Sequence, residues 1–314
     1  MDLKVLGIDI GGTTTAFGIV GENGEVSFAS NLPTKSFHSP EILVERIYQE
    51  LSENNLLSEI NGIGIGAPNG NFFSGNIEFA PNLKWEGVIP LVKLFEDKFK
   101  IKTCLTNDAN AAAIGEMIFG VAKNMKDFIS ITLGTGVGSG IISNGKLIYG
   151  HDGFAGELGH IKVKDNGRLC GCGRYGCLEM YCSSTGVVRT FFELNSLNKN
   201  ISSLQCEEKI SAKSIFEHAQ KGDVFANEII DFTAQILGES LANFVCYTSP
   251  EAFILFGGYA QNESNFCKLV KHYMEENLLK IYKNKIKVLK SGLHDKNAAV
   301  LGAAALIMEK YNEK

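Results

Sequence analysis

The sequence predicts an α/β protein built from two units of similar design. Three observations carry this. The chain opens on apolar runs broken by glycine turns, the mark of adjacent β strands. The same design restarts after residue 126, where "ITLGTGVGSGIISNGKLI" parallels the opening "GIDIGGTTTAFGIVGENGEV". Helical patterns follow each set of strands, as in an α/β layout. No low-complexity linker separates the halves, so close packing around a cleft is expected.

Element by element, "KVLGIDI" reads as a buried strand, "GGTT" as a turn and "TAFGIV" as a second strand. "GENG" is a hairpin turn before a third strand, "EVSFAS"; Asn-Gly between apolar runs is a strong hairpin signal. Apolar residues at helical spacing predict a helix over 40–51. "INGIGIGAP" is a strand ending at a Gly-Pro turn, "PLVKLFEDKF" a helix, "IKTCLT" a strand and "DANAAAIGEMIFG" a helix. In the second half, "DFISITLGTG" is a strand with its turn, and "VGSGIIS" and "KLIYG" are strands around a second Asn-Gly. The longest helix is expected over about 223–248. Then come the strand "EAFILFGG", a helix after Asn262, the strand "KIKVL" and a last helix from about Asp295.

Composition bounds the function. The chain has 314 residues, 45% of them apolar, which is enough for a packed core and excludes a disordered chain. A net charge of -5 with no long basic run argues against nucleic acid as a partner. No signal-peptide layout and no membrane-length apolar run are present. Eight cysteines do not form a secreted disulfide pattern, so a cytoplasmic protein is expected.

The two glycine-threonine turns suggest a shared task. Glycine lets several backbone N–H groups converge, and Thr hydroxyls add donors, so two matched turns suit a polyphosphate. Asp9, at the end of the first strand, is placed to hold Mg2+ through water. A purely structural hairpin explains either turn alone; their matched positions favour phosphate. "GIISNGK" is not a P-loop, because Leu147 follows the lysine and the context is strand–turn–strand. "GCGRYG" follows no clear strand and is no dinucleotide fingerprint.

"LTNDANAAAIGE" puts Asn107 and Asp108 where a strand hands over to a helix. Helix capping accounts for such a pair. The same position is also where α/β proteins place their chemistry, and a carboxylate there can take the proton of an attacking alcohol. The helix N-terminus is expected to keep Asp108 ionised.

His160, Cys170, Cys172 and Cys177 read H-x9-C-x-C-x4-C. Three thiolates and an imidazole are the ligand set of a closed structural zinc site. Incidental thiols in a loop are the alternative, and their density argues against it. Four protein ligands leave no open position, so Zn2+ is expected to shape the loop and not to activate water. Glu157 and Glu179 flank the cluster and suit hydrogen bonding to sugar hydroxyls.

Together, "LGIDIGGTT", "PNLKW", "NDANAAAIGE", "TLGTGVGSGII", "GELGH" and "CGCGRYGCLE" resemble the ROK family of sugar kinases and sugar-responsive repressors, in order and over nearly the whole chain. The likeness is closest to the bacterial glucokinases of that family. The resemblance implies an actin-like ATPase fold, two ribonuclease-H-like domains flanking a cleft. A smaller domain would comprise 1–115 with the C-terminal helix 296–314, and a larger one, with the zinc loop, 116–295. It implies Asp108 as the base acting on a hexose 6-hydroxyl. Gly66, Asn82, Asn107, Asp108, Glu157, His160 and Glu179 would bind the sugar, His160 using its second ring nitrogen for zinc. Asp9, Gly11, Gly12 and Thr13 would form the first phosphate site, Gly134, Thr135 and Gly136 the second. Gly257 and Gly258 resemble the adenosine-side turn. ATP, Mg2+ and Zn2+ would be the cofactors, and a homodimer the assembly. Departures from the family pattern are Thr14 where Lys is frequent, Asn69 where Gly is usual, and "FGGYA" in place of a three-glycine turn.

The resemblance therefore implies an ATP-dependent hexose kinase, glucose first. An N-acetylmannosamine, N-acetylglucosamine or fructose kinase is the near alternative. A non-catalytic sugar-binding regulator is the alternative of another class. Repressors of the family carry a helix-turn-helix domain before the first phosphate turn; with eight residues ahead of Asp9, the kinase is expected.

Overall fold

The structure is a computed structural model, and it describes residues 3–196, 202–259, 265–293 and 298–312. The chain divides into two compact units. The first comprises Met1–Asn124, Leu147–Gly156 and Gly292–Lys314; the second comprises Met125–Lys146 and Glu157–Ser291.

The first unit is built on strands β1 (Lys4–Ile10), β2 (Thr14–Gly21), β3 (Val26–Pro33), β4 (Gly62–Gly66) and β7 (Thr103–Thr106), in the order β3-β2-β1-β4-β7. The first three are antiparallel neighbours, while β1, β4 and β7 run parallel. A small hairpin of β5 (Ile77–Glu78) and β6 (Val88–Ile89) stands apart. The second unit repeats the plan with β8 (Phe128–Leu133), β9 (Val137–Ser143), β10 (Lys146–Leu147), β11 (Ala252–Phe256) and β12 (Lys287–Lys290), ordered β10-β9-β8-β11-β12. The two orders match position for position, with parallel strands following the meander in both. This is the ribonuclease-H-like unit, twice, of an actin-like ATPase fold.

The central strands β1, β4, β8 and β11 are buried along nearly their whole length because both faces are covered, whereas the edge strand β3 alternates. In the first unit, Leu6, Ile8, Phe17, Ile63 and Phe95 share one core. The C-terminal helix, α9 (Ala298–Asn312 at the end of the helix series), lies so close to the sheet that side chains cannot intervene. A Cβ on Gly7 would stand 2.2 Å from the Val300 carbonyl oxygen, and one on Gly64 only 1.9 Å from that of Ala303. The alternating glycines of "LGIDI" and "GIGIG" are therefore a helix seat. In the second unit, Ile129, Ile131, Leu237, Phe253 and Phe266 belong to a separate core. Its longest helix, α7 (Val224–Thr248), starts at Asp223, whose side chain accepts the Ala226 N–H, and stops at left-handed Ser249.

Some expected boundaries shift. "KLIYG" is a strand only through Leu147; Tyr149 instead stacks on Phe72, with ring centroids 4.1 Å apart, and Gly150 turns at φ +75°. Strand β11 ends at Phe256 because Gly257 takes φ +145°. Asn144 and Gly145 are both left-handed, as a tight hairpin requires, but at the first hairpin only Gly24 is. The expected helix starts near Asn262 and Asp295 lie outside the described residues. Among the described residues, no helix is long and apolar enough to cross a membrane.

Candidate active site and metal centre

Strand register assembles the first unit's site. Asp9 is level with Gly66 on β4, and Gly66 with Thr106 on β7. This row lies at the carboxyl ends of three parallel strands, where α/β folds leave room for ligands. Two residues beyond Thr106, Asp108 opens helix α3 (Asp108–Ile118). Gly66 leaves space between the two acids. A Cβ there would stand 3.6 Å from both Asp9 Oδ1 and the Asp108 Cα.

Asp108 is open to solvent, yet the protein around it disfavours its charge and raises its carboxyl above the ordinary range. The Ala109 N–H donates to Asp108 Oδ1 at 2.8 Å and works in the opposite direction. Desolvation therefore outweighs the expected pull of the helix N-terminus. Asp9 is pushed up to about 7, first by burial and then by the charge of Asp108. Asn107 caps α3, its side chain accepting the Ala109 N–H at 2.8 Å. In the first turn, Gly11 N–H donates to the Thr14 carbonyl at 2.9 Å. Gly12 lies against the backbone of Asn82, where a Cβ would be 2.5 Å from the Asn82 carbonyl oxygen. Asn69, one of the departures, adopts φ +50°. Asn is the side chain that best tolerates this glycine conformation, and its Nδ2 donates to the Glu78 carbonyl at 2.9 Å.

In the second unit the four metal-type side chains stand together. One ligand atom from each of His160, Cys170, Cys172 and Cys177 lies within 4.8 Å of the others. Cys170 Sγ is 3.6 Å from His160 Nδ1, and Cys172 Sγ is 3.6 Å from Cys177 Sγ. A tetrahedral zinc bound at ordinary lengths spaces neighbouring ligands about 3.7 Å apart, so the set fits Zn2+. Burial opposes ionisation of Cys172, but hydrogen bonds from Arg174 and the neighbouring thiols draw it down to about 6. His160 turns Nδ1 to the sulfurs, while its Nε2 lies 3.9 Å from the Glu157 carboxylate.

The second glycine turn follows β8. Gly134 N–H donates to the Gly136 carbonyl at 3.0 Å. Gly257 packs on the residue before that turn, where a Cβ would stand 2.2 Å from the Leu133 carbonyl oxygen. Glu179 reaches both features, accepting the Val137 N–H at 3.0 Å and lying 3.7 Å from Cys170 Sγ.

The first unit therefore holds Asp9, Gly11, Gly12, Thr13, Gly66, Asn82, Asn107 and Asp108, and the second holds the other predicted residues. Sequence reasoning missed three features. Arg168, buried just upstream of the cysteines, pairs with Glu193 at 2.6 Å, donates to the Met180 and Gly186 carbonyls and stacks on Tyr181. Beyond Gly258, Tyr259 stacks on Phe216 beside a cavity of 350 Å³ that both line. Ser184 and Thr185 bond to the second turn. Arg168 follows the polar stretch "KVKDNG", where an arginine reads as a surface charge, and the other two depend on distant pairings, so no local pattern carries any of the three.

The ROK family profile matches residues 5–310. The chain belongs to the ROK family. Among ROK relatives, it is 33% identical over 315 residues to a glucokinase of Thermotoga maritima, covering 98% of each chain. A solved ROK glucokinase from Streptomyces griseus, in complex with glucose and AMPPNP, superposes with a TM-score of 0.81 at 33% identity, over 96% of this chain and 98% of that one. The dual regulator NagC of Escherichia coli is 30% identical over 234 residues, 74% of this chain but 56% of the regulator.

Proposed function

We propose that this chain transfers the γ-phosphoryl group of ATP to the 6-hydroxyl of a hexose, with glucose as the preferred acceptor and Asp108 as the general base. The chain is an ATP-dependent sugar kinase of the ROK type; the acceptor and the base are the finer reading. The observation that carries it is the Asp108 carboxyl: open to solvent at the end of β7, next to a second acid, with its proton affinity raised. A base works best when its pKa lies near the working pH, and desolvation moves Asp108 that way.

In this reading the sugar O6 attacks the γ-phosphorus as its proton passes to Asp108. The bond from phosphorus to the ADP oxygen breaks, and its electron pair leaves with ADP. Catalysis is then positioning and charge stabilisation. Asn107, Asn82, Glu157, His160 and Glu179 hold hexose hydroxyls, with Gly66 leaving room for the ring. The turns at Gly11, Gly12, Thr13 and at Gly134, Thr135, Gly136 donate N–H groups to the phosphates. Gly257 and Gly258, with the cavity beside Phe216 and Tyr259, take the adenosine side. Asp9 suits a hard divalent cation held through water, and Mg2+ bound there would supply charge neutralisation for the phosphate oxygens. Zn2+ at the cysteine cluster would fix the loop that carries Glu157 and Glu179. The family resemblance adds a cytoplasmic homodimer, which light scattering would test.

A sugar-responsive regulator is the second reading, favoured by the likeness to NagC. It predicts sugar affinity without turnover. The test is ADP release from Mg-ATP with glucose, N-acetylglucosamine, N-acetylmannosamine, fructose or no sugar. Turnover that is fastest with glucose and slight without sugar supports the proposal. Turnover with another sugar corrects the acceptor, and none with any sugar, from zinc-loaded protein, overturns the kinase.

A further inference from the structure

The second glycine turn is fastened from one side by a single segment, residues 179–185. Ser184 N–H donates to the Gly134 carbonyl at 2.8 Å, and the Thr185 hydroxyl donates to the Thr135 carbonyl at 3.2 Å. One residue past the turn, the Val137 N–H donates to Glu179 Oε2 at 3.0 Å. Gly136 meets the same carboxylate sterically, since a Cβ there would lie 2.5 Å from Glu179 Oε2. Gly136 is not among the residues of positive φ, so what a side chain there would meet is the carboxylate, which it would displace from the Val137 N–H. The carbonyls of 134 and 135 are thus engaged. Among the described residues, no protein acceptor takes the Thr135 or Gly136 N–H, which leaves two donors for a ligand. Glu179 Oε1, meanwhile, is 3.7 Å from Cys170 Sγ in the metal cluster.

We propose that Glu179 is a positioning residue for the nucleotide. Its carboxylate holds the exit of the second glycine turn, so that the free N–H groups at 135 and 136 stay aimed at phosphate. It does this separately from any contact with the sugar. The physical reason is that a carboxylate-to-amide hydrogen bond is charge-assisted and fixes the direction of the peptide it holds. Preformed donors bind an anion without the penalty of ordering them first. The inference rests on the reading of 134–136 as a phosphate turn.

The test measures Mg-AMPPNP affinity by calorimetry in the absence of sugar, with hexose affinity measured in parallel. Glu179→Ala should weaken the nucleotide about tenfold, the size of one charge-assisted bond. Glu179→Gln keeps an oxygen for the Val137 N–H and should stay within about threefold of the parent. A residue that served the sugar alone would leave nucleotide affinity unchanged in both, and that result overturns the inference. Gly136→Ala supplies a second arm. It should weaken the nucleotide in the parent, through the clash with the carboxylate, and add little in the Glu179→Ala background. Additive losses would overturn the inference as well. If Glu179→Ala does not fold, Gly136→Ala in the parent decides: its Cβ pushes the carboxylate off the Val137 N–H, so nucleotide affinity equal to that of the parent overturns the inference. A parent chain that binds no Mg-AMPPNP at all would bring down the kinase reading first, whereas normal binding by the parent and by Glu179→Ala brings down this inference alone.

Discussion

Asp9 and Asp108 face each other across Gly66, at the carboxyl ends of β1 and β7. The Asp108 charge adds to burial in holding Asp9 at about 7. Neither acid lies near enough in sequence to suggest the pair; the parallel register of β1, β4 and β7 brings them together. Two like charges this close are unfavourable together, and a cation bound beside them would offset that repulsion.

A raised carboxyl pKa gives stability a direction with pH. Asp9 has a higher pKa folded than unfolded, so its contribution is fully present below about 4 and is lost as pH rises through about 7. Asp9→Asn removes that loss. At pH 8 and without divalent ions, the variant should be more stable than the parent by about 2 kcal/mol, after discounting for partial exposure. Mg2+ should stabilise the parent at pH 8 and leave the variant nearly unchanged. Thermal melts at pH 5 and 8, with and without Mg2+, check both.

Metal content is the second expectation. The proposed zinc site predicts that Cys172→Ser purifies with less zinc than the parent, because one of the four clustered ligands is gone. The loop that carries Glu179 then loosens, and the melting temperature falls. Elemental analysis of the purified proteins, followed by melts with and without a chelator, reads both effects. A variant that keeps full zinc would take Cys172 out of the ligand set.

Packing gives a third. Gly64→Ala puts a Cβ 1.9 Å from the Ala303 carbonyl oxygen, which forces the C-terminal helix off its sheet. Overpacking of this kind destabilises by about 1–3 kcal/mol, and backbone-to-backbone contact places it at the upper end. Chemical denaturation should show the loss without any change in zinc content.

What the sequence made legible were local patterns. The strand periodicity, the Asn144-Gly145 hairpin and the ligand types between His160 and Cys177 are each written within a few residues. The doubled plan of the two sheets was legible too, because the glycine turns recur at matched places. What escaped was long-range. Residues 147–156 belong with the first unit although they follow the second unit's meander. The hold of Glu179 on Val137 spans 42 residues. Asn69 looked like a departure until its φ of +50° showed that it keeps the glycine's conformation with an added hydrogen bond. Asp108 was visible as a candidate, but the balance between its helix N-terminus and desolvation required the surrounding mass.

The central claim is that the Asp108 carboxylate takes the proton of the acceptor hydroxyl. The most direct measurement compares the parent with Asp108→Asn in turnover and in hexose binding. Asparagine preserves size and the cap on α3 but cannot accept the proton. The account predicts a kcat lower by about 10²–10⁴-fold, with hexose affinity nearly intact. Turnover within a few-fold of the parent would contradict it and remove Asp108 from the role of base.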